Sequence, residues 1–150
     1  MRTWTIRLTV SLAVLVLLAG VATAGEKKLM HCFVFTPVEA ATAADWEAFY
    51  RATDELPGKI LGLSRVWHGK LARNLPIFGA DREANKKLAA GEKETTGTVT
   101  RRVRTYGVCM EFADDAALKA YAGHAAHADW VKVYEKVREY GTTTFDILGR

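Results

Sequence analysis

The hydrophobic period of this chain switches back and forth between two residues and about 3.6, and the order of those switches constrains the fold more than any single motif. Residues 29–35 (LMHCFVF) are apolar apart from His31, rich in aromatic and β-preferring side chains, and stop at Thr36-Pro37, which predicts a strand. From Thr42 the period lengthens: Trp46, Phe49, Tyr50, Thr53 and Leu56 recur at helical spacing, with Thr42 and Asp45 placed as an N-cap pair and Pro57-Gly58 as the stop. Residues 63–71 read as a second strand, with Leu63, Arg65 and Trp67 on one face and Ser64, Val66 and His68 on the other. It is less apolar than the first and suits a sheet edge, where His68 is expected in solvent. Residues 103–112 form a third strand. Asp114 then caps a helix running to Tyr121, Gly123 interrupts it, and a second helical stretch carries Trp130, Val131, Tyr134 and Val137 before a last strand at 142–148.

Strand-helix-strand-strand-helix-strand is an α+β order, the ferredoxin-like arrangement in which both helices cover one face of an antiparallel sheet. The first and third strands are apolar on both faces. On the first, His31, Phe33 and Phe35 point one way and Met30, Cys32 and Val34 the other; on the third, Tyr106, Val108 and Met110 oppose Gly107 and Cys109, with Thr105 and Glu111 polar at the strand ends. Two helices shield one face only, so the other is expected to meet a second copy of the chain and close a two-fold, barrel-like dimer. Residues 72–101, polar and rich in Lys, Glu, Thr and Gly, read as an insertion loop with at most one helical turn near 83–90. Such a loop is either a mobile surface segment or a lid.

The first residues bear on compartment. Arg2 and Arg7 precede an almost unbroken apolar run at 8–21, which ends in Ala22-Thr23-Ala24, the small-x-small pattern of a signal-peptide cleavage site. Cleavage after Ala24 would leave one domain, residues 25–150, in the periplasm or outside the cell. The run is shorter than the ~20 residues that span a bilayer, so no stable membrane anchor is expected after processing. Loss of Arg2 and Arg7 lowers the formal net charge from +4 to about +2, too weak a field to indicate a nucleic-acid partner. Two cysteines, Cys32 and Cys109, do not make a disulfide framework. Buried thiols acting as small apolar groups are the expected state, with a bridge as the alternative that an oxidising compartment permits.

Three pieces of this sequence, MHCFVF, YGVCMEF and YAGHAAHADW, together resemble the stress-responsive A/B barrel (Dabb) family. Tyr121, His124 and His127 are similar to the tyrosine and two histidines of that family's signature, with Ala125 where proline is usual. The resemblance covers residues 29–70 and 103–148. It implies a dimeric ferredoxin-like α+β barrel, with His31, Phe33, Phe35, Tyr106, Val108 and Met110 facing the helices and Cys32 and Cys109 facing the dimer interior. Plant polyketide cyclases of the family close a linear chain by intramolecular aldol condensation without a cofactor. By this resemblance Tyr121 and His127 are the acid–base pair, His31 is a pocket histidine, and Phe49 and Tyr50 line the cavity, while Tyr106 stands where a further pocket histidine is missing.

The residue types suit such chemistry. Imidazole can take a proton beside a carbonyl, and a phenol can hold the oxygen on which charge develops. The same pair can also simply tie the helix break at Gly123 to the sheet. Phe33, Phe49, Tyr50, Trp130 and Val108 can line a cavity for a small apolar or phenolic molecule or fill the core. His124 and His127 without a third ligand are a weak metal signal. No phosphate loop, nucleotide fingerprint or serine-nucleophile elbow occurs in the sequence, and no cofactor is implied. Two functions follow as expectations: a small-ligand-binding or stress-associated dimer, or a cofactor-independent acid–base enzyme using His127 and Tyr121.

Overall fold

Local signals place the elements. Thr42 caps α1 (Ala43–Asp54): its hydroxyl accepts from the Asp45 N–H while the Asp45 carboxylate accepts from the Thr42 N–H, a complete capping box. The expected stop at Pro57-Gly58 is instead inside a single further turn, α2 (Leu56–Lys59), because proline is tolerated in the first turn, where its missing N–H would have had no partner. Asp114 accepts from the Ala117 N–H to open α4 (Asp115–Ala122), and His124 does the same for Ala126 at the start of α5 (Ala125–Val137). The computed structural model describes residues 28–149, so the signal-peptide expectation for residues 1–24 lies outside the described residues.

The sheet has the order β2-β3-β1-β4, with every neighbour antiparallel: β1 (Leu29–Phe35), β2 (Leu63–Ala80), β3 (Val99–Phe112) and β4 (Thr143–Leu148). This is the ferredoxin-like topology that the element order predicts, with β2 at an edge. Phe33, Phe35, Tyr106, Val108, Met110 and Phe112 point toward the helices and pack against Phe49, Leu56, Trp130, Tyr134 and Val137 in one buried cluster. Thr53 is the polar group inside it, and its hydroxyl is satisfied twice, donating to the Phe49 carbonyl (2.7 Å) and accepting from Trp130 Nε1 (2.8 Å). Gly62 has φ +87, and a Cβ there would lie 2.5 Å from the Ala117 methyl, so only glycine lets the loop before β2 approach α4 this closely.

The structure corrects the reading of residues 72–101. They are not a loop: β2 runs on to Ala80, β3 begins at Val99, and the two continue as a two-stranded arm joined through α3 (Arg82–Ala89), with Asp81 as its cap. An arm with solvent on both faces has no buried side to impose an alternating apolar pattern, which is why its sequence resembles a loop. The helical turn expected near 83–90 is α3. Inside β2 a register shift between Leu63 and Arg65 also changes the predicted faces, so that Leu63 is buried opposite Phe112 whereas Trp67 lies opposite Cys109 on the open side. His68 is not solvated as expected: its Nε2 pairs with Asp54 Oδ1 at 2.9 Å and its ring stacks on Tyr50 at 5.3 Å.

Cys32 and Cys109 are joined in a disulfide, not free thiols. They are directly opposite in the β1–β3 register with Cα atoms 4.1 Å apart, a proximity that comes from strand pairing and not from either cysteine's neighbours. The bridge lies on the sheet face away from the helices. Met30 and Val34 share that face, with Trp67, Phe145 and Ile147 from the flanking strands.

Candidate functional site

The break at Gly123 brings the end of α4 against the start of α5, and Tyr121 and His127 meet across it with ring centroids 4.2 Å apart. His127 Nδ1 lies 3.2 Å from the Ala122 carbonyl, which can only accept. Nδ1 therefore carries the proton, and Nε2 holds the lone pair of the neutral ring. Burial pushes the His127 pKa down, opposed by the bond to Ala122 and assisted by the nearby His31, so the ring is neutral at pH 7. Tyr121 is buried, and burial, with Tyr134 beside it, holds its phenol well above the ordinary range, leaving it a hydrogen-bond donor at any physiological pH.

His31 comes to the same place from the central strand, 6.2 Å from the Tyr121 ring. Its Nδ1 contacts Asp146 Oδ1 at 2.6 Å, across the β1–β4 register. A carboxylate accepts, so this contact orients the imidazole and leaves Nε2 as the lone-pair nitrogen of the neutral form. Trp130 stacks with His127 at 5.9 Å, and Tyr134 with Trp130 at 4.7 Å. Together with Phe33 these groups wall an open, mainly apolar cavity of about 450 Å³, whose far side is formed by Arg138, Thr142 and Thr144. A cavity of this size, apolar with a few convergent polar groups, is of the kind that holds small molecules.

Of the residues singled out from sequence, the structure brings His31, Phe33, Tyr121, His127 and Trp130 into one cavity. Phe49 and Val108 lie under it, fully buried in the core. Tyr50 and Tyr106 sit elsewhere, lining a second concavity of about 470 Å³ with Trp46 and Lys70; burial and the adjacent Tyr50 raise the Tyr106 phenol's pKa. His124 caps α5, and among the described residues no cluster of three or more His, Cys, Asp or Glu is arranged to hold a metal ion. Asp146, Tyr134, Arg138 and the two threonines were missed by sequence reasoning. Only Asp146 left a trace, as the one acid in an otherwise uncharged strand, and nothing local ties it to His31.

No protein-family model matches the sequence, and no curated protein matches it in sequence. Solved structures do match in shape. A Dabb family protein with a ferredoxin-like fold from Mesorhizobium loti superposes with a TM-score of 0.53 at 17% identity, over 83% of this chain and 99% of that one. A dimeric ferredoxin-like protein of unknown function from Thermobifida fusca gives 0.51 at 18% identity, over 82% and 92%. A hydroxynitrile lyase from Passiflora edulis gives 0.56 at 9% identity, over 84% and 95%. At these identities the likeness establishes the fold, a ferredoxin-like α+β domain of the kind seen in the Dabb protein.

Proposed function

We propose that this protein is an exported homodimer of the stress-responsive A/B barrel type that binds a small apolar or phenolic molecule between α4, α5 and the sheet. The observation that carries the reading is that Tyr121, His127 and His31 converge on an open cavity and are not packed over by core side chains. Export rests on the residue 1–24 pattern, and N-terminal sequencing of the processed protein is expected to begin at Gly25. The homodimer rests on the apolar open face and on the dimeric state of the similar protein from Thermobifida fusca. Mass spectrometry of what co-purifies, followed by titration of Trp130 fluorescence, tests the binding. A saturable change that vanishes in Trp130→Phe is expected; a linear response in the wild type rejects ligand binding.

One observation favours turnover as a second reading. His127 and His31 each have Nδ1 committed to an acceptor, so each can present a basic Nε2, beside a Tyr121 phenol that stays protonated. His127 would remove a proton next to a carbonyl while Tyr121 donates to the developing oxyanion, with no cofactor required. The same fold houses a hydroxynitrile lyase in Passiflora edulis. His127→Ala is expected to abolish turnover of a phenolic or polyketide-like carbonyl compound while the melting temperature stays within a few degrees. A large loss of stability with binding intact would assign the pair a structural role.

A further inference from the structure

Two arginines meet beneath the turn that leads into β4. Arg104 of β3 is 4% exposed, yet its Nε reaches only Thr143 Oγ1 (3.4 Å) and its Nη1 only Thr36 Oγ1 (3.3 Å). Thr36 donates its own hydrogen to the Val103 carbonyl, which turns its lone pairs toward the guanidinium. Nη2 makes no hydrogen bond among the described residues. Arg102 lies two residues away on the same strand face and sends Nη1 to the Tyr140 carbonyl at 3.5 Å, the long limit of such a bond. No carboxylate among the described residues forms an ion pair with either guanidinium.

A guanidinium largely withdrawn from water, with only Nη2 left in contact with it and no anion beside it, is costly, and a second one two residues along the strand adds repulsion. The local backbone closes one side of the pair. Gly141, at φ +90, passes over both side chains, and a Cβ there would lie 3.0 Å from Arg102 Nη1 and 3.7 Å from Arg104 Nη2. Beside them opens a concavity of about 230 Å³ lined by both arginines with Ile77, Gly79 and Thr100, and it shares no lining residue with the Tyr121–His127 cavity. We propose that Arg102 and Arg104 form a binding site for an oxyanion, the carboxylate or phosphoryl group of a small ligand. The planar fork of a guanidinium matches two oxygens of either group.

Calorimetric and thermal-shift titration of the purified protein with sodium phosphate and with sodium acetate, each against chloride at equal ionic strength, tests the site. Either oxyanion at ten times its Kd is expected to raise Tm by about 4 °C. A shift with acetate alone identifies a carboxylate ligand, and a shift with phosphate alone a phosphoryl one. Arg102→Gln changes an exposed side chain and, by relieving the repulsion, raises the unliganded Tm by no more than about 2 °C, but is expected to weaken oxyanion binding about tenfold; Arg104→Lys, which keeps the charge and loses the fork, weakens it by a similar factor. Equal shifts with chloride, or wild-type affinity in Arg102→Gln, overturn the proposal. So does loss of self-association in Arg102→Gln without oxyanion uptake by the wild type, which would place a carboxylate of a second copy there instead.

Discussion

Beneath the helices Phe33 and Phe35 of β1 are 4% and 0% exposed, whereas on the opposite face of the same sheet Phe145 and Ile147 of β4 stand 44% and 54% exposed. Both faces are built by the same alternation in the same strands, and both carry aromatic and aliphatic side chains. The helix side is a layered aromatic core in which Phe35 touches Phe49, Tyr106 and Tyr134 edge-on or tilted. The open side carries the disulfide, and no helix or strand among the described residues covers it. What separates them is the partner supplied: α1 and α5 for one, and a second copy of the chain, in our proposal, for the other.

The contrast can be broken most forcefully from the covered side. Phe35→Ala removes a fully buried ring and is expected to cost about 4 kcal/mol in urea unfolding. A cost below about 1 kcal/mol would mean that this core is not the stabilising layer. On the open side, replacing both Cys32 and Cys109 by alanine releases a link across a sequence separation of 77 residues and is expected to cost about 3 kcal/mol, read as a lower denaturation midpoint. Phe145→Glu should change the chain's own stability by no more than about 0.5 kcal/mol yet yield monomers in sedimentation velocity at micromolar concentration. A persistent dimer in that variant would move the interface elsewhere.

The smallest effect belongs to the cavity between the layers. His127 binds its proton less readily in the folded chain than its ordinary 6.5, so the unfolded chain takes up protons first as pH falls. Stability is therefore complete above pH 6.5 and declines below it. His127→Gln is expected to flatten the decline in melting temperature between pH 7 and pH 5. An unchanged slope would show that the ring is not desolvated in the folded protein.

How much of this was legible depended on the distance over which each interaction acts. The capping box at Thr42 and Asp45, the Asp114 cap and the helix break at Gly123 are contained within a few residues and were readable directly. The convergence of Tyr121 with His127 was close behind, since six residues and one break join them. His31 and Asp146 are 115 positions apart, and their contact exists only because β4 pairs beside β1 in one register. The same is true of Cys32 and Cys109 across β1 and β3, where the family resemblance placed both on the open face but nothing in the sequence put them opposite each other. Tyr50 and Tyr106, apolar-periodic like the cavity residues, went to a second concavity because the rotation of α1 and the position along β3, not composition, decide which groove each side chain enters.

The order of periods by itself determined the α+β class and the grouping of strand residues into two faces, because apolar side chains recur at the repeat of the element carrying them; which face of β1 and β3 meets the helices came from the family resemblance, since both faces are apolar. Tertiary structure alone decided the disulfide, the long arm of β2 and β3, the orientation of His31 by Asp146 and the enclosure of Arg104 between Thr36, Thr143 and Gly141. Each of these depends on register or on closure between distant strands, and a one-residue slip in either would leave the same sequence pattern with different neighbours.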